Sequence, residues 1–436
     1  MMKRDSIGVG ILGLGVIAGQ VARVLSDKSD SLTAQVGCPL ILRKVKVLPE
    51  DLNRPQVEEM GRHLFTTDDE EFFAEPGMDI VVEAIGGEHP ALEYLERALA
   101  DGKHVVTSNK EVIAKHGTEL FDLAERNGVE IRCEASVGGG IPLISRFRYD
   151  LVANCIKGIY AIINGTTNYI LTRMAREGAD FSSVLAEAQR LGYAESNPEN
   201  DVEGIDAAYK LAILASMAFH TRIRPESIYC EGISRLTSRD FRYAREFGYA
   251  IKLLAIAKEN EGEVEVRVHP VFIPEGSLLA NVDGVYNAVL VVGDLVDKVL
   301  FFGQGAGPLP TSSAVIADVV SAAREVLAGV GGGAGRDFSS GVTLRPMTDI
   351  DTRYYLRLNI DDRPGVLARI ASVLGERNIS ISSAIQKVAD KAAQTAEIVV
   401  ITHPARESAM QSALDEMANL SGLREVSNFI RVEILS

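Results

Sequence analysis

Apolar positions in the first third of the chain fall into short runs set between amphipathic stretches: Ile7 to Leu12, Val16 to Leu25, Leu42 to Leu48, Ile80 to Ala84, Pro90 to Ala100, Val105 to Thr107 and Val129 to Cys133. Short buried strands alternating with helix-period segments predict a parallel sheet covered by helices, here over residues 1–150. The rhythm then changes. Ile156 to Ile163 reads as a strand, Thr167 to Glu177 and Gly204 to Met217 as helices, and Val264 to Phe272 and Ala288 to Val292 as strands. A mixed α+β domain is expected over 151–304, with 305–327 returning to the first domain. The glycine- and serine-rich stretch 328–349 has no apolar period and predicts a flexible linker. Beyond it the order is strand Tyr354 to Ile360, helix Val366 to Arg377, strands Ile379 to Ile385 and Ala396 to Thr402, helix Glu407 to Leu420 and strand Ser427 to Leu435. That βαββαβ order is ferredoxin-like and sets off a third domain over 350–436.

The bulk numbers agree with several cores and narrow the partners. A chain of 436 residues is too long for one ordinary core, and 46% apolar with 24% charged residues is a globular balance. The net charge of -15 gives no basic excess for nucleic acid or an anionic membrane. Cys38, Cys133, Cys155 and Cys230 are scattered, with no spacing for zinc, which suits free thiols in a reducing cytoplasm. The opening Met1-Met2-Lys3-Arg4 and the apolar run after it mimic a signal peptide, but Gly8, Gly10, Gly13 and Gly15 favour a folded strand and turn. No apolar run is long enough to span a bilayer, so a soluble enzyme is expected.

Gly13-Leu14-Gly15-Val16-Ile17-Ala18 follows the first strand and opens the first helix, the context that the dinucleotide fingerprint requires. Gly13 and Gly15 permit a tight turn and close backbone approach, and the amides of Val16 and Ile17 would face the pyrophosphate at the positive end of a helix. NAD and NADP both stay open. Glu50 or Asp51 could meet a ribose, and Arg43, Lys44 or Lys46 a 2′-phosphate.

Asp206 and Lys210 lie four apart on a predicted helix, a spacing equally natural for a solvent-facing ion pair. The stretches around them resemble homoserine dehydrogenases: Asn164-Gly165-Thr166-Thr167-Asn168, Leu191 to Glu195, and Asp201-Val202-Glu203-Gly204-Ile205-Asp206 through Lys210. The resemblance extends to Thr107-Ser108-Asn109-Lys110, Glu134 to Pro142, and Gly303-Gln304-Gly305-Ala306-Gly307 with Pro310-Thr311. It implies reversible NAD(P)H-dependent reduction of aspartate semialdehyde to homoserine. The oxygen that gains charge in that reaction needs a positioned donor, and no zinc motif offers one.

By this resemblance Lys110 and Lys210 converge on the reacting oxygen, and two adjacent ammonium groups are expected to lower each other's proton affinity. Asp206 would hold Lys210 or the substrate hydroxyl, and Glu195 the substrate ammonium. Asp201 would contact substrate or support it, or else cap the helix that follows. Asn164 and Thr166 are assigned to the substrate, and Ser108, Lys110 and Gly305 to the nucleotide. Oxygens of Glu134, Val137, Gly139 and Ile141 would surround a structural sodium ion. The chain departs from the family at Val47-Leu48-Pro49-Glu50-Asp51, where an arginine followed by an acid is common, which weakens any inference of NADP preference. His269, alone in a strand, reads as packing.

Asp361-Asp362-Arg363-Pro364-Gly365-Val366-Leu367, with Asn378-Ile379-Ser380-Ile381, resembles the ACT domain. That likeness implies amino-acid sensing, with threonine as the expected effector, or else a role in assembly alone; the dehydrogenase resemblance implies a homodimer through the second domain, with a homotetramer through paired ACT domains as the alternative. A different dehydrogenase on this architecture and a non-catalytic sensor are the rival readings. Joint retention of Lys110, Glu195, Asp206 and Lys210 argues against the sensor, because buried charges are costly without a use.

Overall fold

Six strands form the first sheet in the order Phe65–Thr66, Leu40–Lys46, Ile7–Leu12, Met78–Glu83, His104–Thr107, Ile131–Arg132, every neighbouring pair parallel. In a computed structural model, which describes residues 4–329, 338, 341–390 and 393–435, this is the doubly wound dinucleotide-binding order. Every residue of Ile7–Leu12 is buried, as a strand covered on both faces must be. The strand expected at Leu42 to Leu48 runs instead over Leu40–Lys46, and a 3-10 turn begins at Pro49. The helix Pro308–Ala328 packs back on this sheet, burying Val315, Val319, Ala322 and Ala323 with Ile7, Val9 and Val21.

A second, larger sheet begins with Asp297–Gln304, Tyr286–Gly293, Ile156–Ile162, Tyr249–Asn260 and Glu263–Pro274, all antiparallel neighbours. It does not stop there. Glu263–Pro274 pairs in parallel with Leu423–Val432 through Val271 to Arg431 and Phe272 to Val432. The antiparallel strands Leu423–Val432, Asp351–Asp361, Thr395–Thr402 and Ile381–Asp390 then complete the ferredoxin-like unit. The C-terminal domain is therefore an extension of the second sheet.

Part of the expected linker is ordered. Thr343 and Leu344 pair with Glu263 and Val264, the Arg345 amide donates to the Val264 carbonyl at 2.9 Å, and Phe338 stacks on Phe121 with centroids 5.8 Å apart. An open strand edge and an apolar surface outweigh the glycine-rich composition at these positions. Residues 330–337 and 339–340 lie outside the described residues.

Buried charges fasten the seam. Arg357 reaches Asp240 at 2.8 Å and Glu397 at 3.2 Å, Arg431 Nη1 reaches Glu231 at 2.9 Å, and Arg267 reaches Glu433 at 2.8 Å. Asp240 is fully buried, so removing its cation leaves a costly charge. Arg357→Ala is expected to cost about 3–5 kcal/mol of stability, measured as a lowered urea midpoint. A loss below about 1 kcal/mol, the scale of an exposed pair, would show that these charges do not hold the seam.

Candidate active site

Lys110 owes its place to a helix cap. Asn109 follows the strand His104–Thr107, and its Oδ1 accepts from the amides of Glu111 and Val112, each at 3.1 Å. Its Nδ2 donates to the Gly87 carbonyl at 2.7 Å. This fixes Lys110 as the first residue of the helix Lys110–Arg126, at the carboxyl end of the parallel sheet where such folds bind ligands. The second domain brings the helix Ile205–Phe219, entered through Gly204 in the left-handed region (φ 82). A Cβ at Gly204 would lie 3.0 Å from Cys230 Sγ, so both the conformation and the space select glycine.

Asp206 joins the two domains. Its carboxylate accepts from Lys110 Nζ, from Lys210 Nζ at 2.7 Å and from Asn164 Nδ2 at 2.9 Å. Lys210 Nζ also donates to the Ile163 carbonyl at 2.9 Å. Asp206 is only 5% exposed, which removes the reading of Asp206 and Lys210 as a surface pair. Burial alone would raise the Asp206 pKa, yet Lys210 and Lys110 outweigh it and hold the carboxyl well below its usual range. Burial likewise works to lower the Lys110 pKa, but Asp206 first, then Asp201 and Glu195, leave it above its ordinary value. The expected net depression by a neighbouring ammonium is thus corrected at Lys110, because a carboxylate sits between the two cations.

Ser108, Lys110, Lys210 and Gly305 line one cavity of about 250 Å³, together with Gly86–Gly87 and Gly138–Gly139. Two of its glycines have no room for side chains: a Cβ on Gly305 would lie 2.0 Å from Asn287 Nδ2, and one on Gly139 would lie 2.6 Å from the Gly305 carbonyl. Gly13, Gly15, Val16 and Ile17 form the turn after Ile7–Leu12, with Gly13 at φ 98. The helix behind them has no side-chain cap and no acid in its first turn, and Val16 is 73% exposed. Its amide end is thereby open to an anion.

Other predicted residues surround this centre in different ways. Asn164 Nδ2 donates to both Asp201 and Asp206, while its Oδ1 accepts from the Thr167 amide at 2.8 Å. Thr166 Oγ1 donates to the Tyr193 carbonyl at 2.6 Å. Asp201 does not cap Ile205–Phe219: Gly204 holds that position and makes no side-chain bond. Glu195 is exposed on the loop before Glu199–Val202, its carbonyl accepting from Gln189 Nε2 at 3.0 Å. The Glu134 carboxylate is occupied by the amides of Leu143, Ile144 and Ser145, so Glu134 has only its main-chain oxygen to offer an ion. His269 is fully buried between Arg267 Nη1 and the Pro270 carbonyl, each at 2.9 Å. Burial, then Arg431 and Arg267, hold it neutral.

The candidate cofactor-selecting cations are mostly turned to their own domain. Arg43 donates to Ser6 Oγ, Lys44 pairs with Glu71 and Glu75, and Lys46 pairs with Asp69. Asp51 is buried against Arg54 at 2.7 Å. Arg54, overlooked in the sequence, donates to the Leu14 carbonyl of the glycine turn at 2.6 Å. Gly86–Gly87 was overlooked as well, although a glycine pair directly after an apolar run is a legible signal for a ligand-facing turn.

Comparison with known proteins places this geometry. Residues 142–320 match the homoserine dehydrogenase family, residues 13–134 the homoserine dehydrogenase NAD-binding domain, and residues 354–422 the ACT domain. A homoserine dehydrogenase of Neisseria gonorrhoeae is 42% identical over 443 aligned residues, covering 98% of this chain and 99% of its own. The structure of a homoserine dehydrogenase from Thiobacillus denitrificans superposes with a TM-score of 0.91 at 43% identity over 99% of both chains. A hyperthermophilic archaeal homoserine dehydrogenase in complex with NADPH superposes with a TM-score of 0.61 at 28% identity, covering 73% of this chain and 97% of that one. The chain belongs to the homoserine dehydrogenase family, NAD(P)-dependent oxidoreductases that interconvert L-aspartate 4-semialdehyde and L-homoserine, and it carries a C-terminal ACT domain.

Proposed function

We propose that Lys210 moves the proton at the substrate oxygen, that Lys110 stabilises the charge developing there, and that Asp206 positions both. The meeting of two lysines from different domains on one buried carboxylate, at the wall of one cavity, supports this assignment most directly. The nicotinamide supplies the hydride in reduction and accepts it in oxidation. Negative charge appearing on oxygen meets preplaced ammonium groups and needs little reorganisation. Glu195 and Asp201 serve the substrate ammonium electrostatically, and Asn164 and Thr166 support the substrate side by ordering Asp206 and the Tyr193 loop.

Residues 1–150 with 305–327 hold the nucleotide, through the turn at Gly13, Gly15, Val16 and Ile17 and through Ser108 and Gly305. Residues 151–304 hold the substrate, and 350–436 sense an amino acid, with threonine as the first candidate. Arg54 is the cation best placed beside the glycine turn to meet a 2′-phosphate. Arg54→Ala is expected to raise the KM for NADP+ about tenfold, the value of one charged hydrogen bond, with that for NAD+ within twofold. Equal effects on both nucleotides would remove it from cofactor selection.

Among the described residues no cluster of acidic, histidine or cysteine side chains could hold a metal ion. The neutral carbonyl oxygens of Val137, Gly139 and Ile141, with that of Glu134, fit a monovalent cation such as sodium in a structural role. Four free thiols support a reducing cytoplasm. The exposed Tyr286–Phe302 stack on the sheet edge, with centroids 5.2 Å apart, supports a homodimer through the second domain, with a homotetramer through the ACT domains as the alternative.

The test of the activity is homoserine-dependent reduction of NAD+ and NADP+ at alkaline pH. Turnover with either nucleotide is expected. No turnover in a folded, nucleotide-binding protein would reject homoserine as the substrate.

A further inference from the structure

Polar anchors converge on the turn Ile85 to Glu88, which follows the strand Met78–Glu83. The Glu83 carboxylate accepts from the amides of Ile85 at 2.7 Å and Gly86 at 3.4 Å. The Gly87 carbonyl accepts from Asn109 Nδ2 at 2.7 Å. Glu88 then reaches the helix Lys110–Arg126, accepting from Lys115 Nζ at 2.6 Å and from His116 Nε2 at 2.8 Å. Lys115 first and then His116 hold the Glu88 carboxyl down at about 2, so it stays ionised wherever the enzyme works. Lys115 is itself fixed, by Glu111 at 2.7 Å and by the ring of Tyr209, whose centroid lies 5.8 Å from Nζ.

The sheet order gives this turn its importance. Met78–Glu83 stands between Ile7–Leu12, which ends in the turn Gly13 to Ala18, and His104–Thr107, which leads to Lys110. A dinucleotide with its pyrophosphate on the first turn and its reactive end beside Lys110 must cross the turn Ile85 to Glu88. The two turns adjoin: a Cβ on Gly13 would lie 3.2 Å from the Ala84 carbonyl. Gly86 and Gly87 line the cavity that Lys110 and Lys210 share. Both are left-handed, at φ 83 and 74, and a Cβ on either would meet nothing within 4 Å. That space fits a ligand, and packing on that side does not hold the turn. Its shape depends on the anchors, because a glycine pair has wide backbone freedom without them. Glu88 contributes two charge-assisted bonds, each roughly twice as strong as a neutral one.

We propose that Glu88 is a positioning residue for the coenzyme: clamped to Lys115 and His116, it holds the Gly86–Gly87 turn against the nicotinamide half and so sets the place of that half beside Lys110. Glu88 acts through the turn and touches no reacting atom. The proposal rests on reading 1–150 as the nucleotide domain and adds how the reactive end is aligned there.

Equilibrium binding separates alignment from folding and needs no turnover. The full-length protein and its variants are titrated with NADH or NADPH, whichever binds tighter, and with the matching half that lacks nicotinamide, ADP or its 2′-phosphate. Glu88→Ala is expected to weaken the whole coenzyme about tenfold, as loss of charged hydrogen bonds does, and the half less than about twofold. Its kcat for homoserine oxidation should fall about tenfold or more, because misplaced reactants lose rate. Glu88→Gln keeps the length and can still bond to both partners, so affinity and kcat are expected to return to within about threefold of the unsubstituted protein. Should Glu88→Ala not fold, Lys115→Met removes one arm of the clamp and is expected to show the same separation of whole from half coenzyme. Equal weakening of both ligands, or of neither, overturns the proposal. So does Glu88→Gln failing as fully as Glu88→Ala, which would leave only the charge of Glu88 at work. An unsubstituted protein that binds neither coenzyme would overturn the nucleotide reading and the proposal with it.

Discussion

Lys210→Ala is expected to lower kcat for homoserine oxidation about a thousandfold, within the range that a positioned acid–base group contributes, while nucleotide binding persists. An ammonium has three protons to give. Lys210 directs one to the Ile163 carbonyl and one to Asp206, which leaves one for the cavity that it lines. The main-chain carbonyl holds its position whether or not substrate is present. Lys110 donates to Asp206 from the other domain and is more exposed, 43% against 13% for the Lys210 side chain, a place better suited to charge stabilisation than to a fixed proton path. Lys210→Arg sharpens the test, because a guanidinium keeps its charge yet does not give up its proton at working pH. Activity restored by arginine, or a loss under tenfold in Lys210→Ala, would move proton transfer away from Lys210.

Much of the nucleotide-binding half was legible, since buried parallel strands read as apolar runs and the glycine turn has a fixed context. Ile7–Leu12 and Gly13 to Ala18 lie where the pattern puts them. The seam was not legible. Arg431, Arg357 and Arg267 alternate with apolar residues along their strands, a pattern that ordinarily marks a solvated face. Their burial depends on Glu407, Asp240 and Glu433 arriving from other elements, and no local period records such partners. The ferredoxin-like order was visible, but its merger with the catalytic sheet rests on the long-range pairing of Val271 with Arg431. At the site, the Asp206–Lys210 spacing was visible while its burial was not, because Lys110 comes from 96 residues away. For Asp201 the signal was present and underweighted: Gly204, nearer the helix, takes the left-handed turn that a cap at Asp201 would exclude.

Asp206→Asn separates the electrostatic role of this carboxylate from its shape. Asparagine preserves the size and can still accept from one lysine, so the helix and the Lys210 contact are expected to survive. The charge that favours both ammonium groups disappears. Burial, which already works to lower the Lys110 pKa, is then opposed only by the more distant Asp201 and Glu195, and the second ammonium adds repulsion. Proton affinity at Lys110 must fall. Homoserine oxidation needs an unprotonated acceptor, so its rate rises with pH as the proton leaves; in the variant that rise is expected at lower pH. Reduction of the semialdehyde needs the protonated donor, so its decline at high pH should move to lower pH as well. The accompanying loss in kcat is expected to be about a hundredfold, the scale of one preorganised electrostatic contact. Profiles of kcat against pH in both directions decide the matter: unchanged limbs, or a shift to higher pH, would show that Asp206 does not set the proton affinity of Lys110.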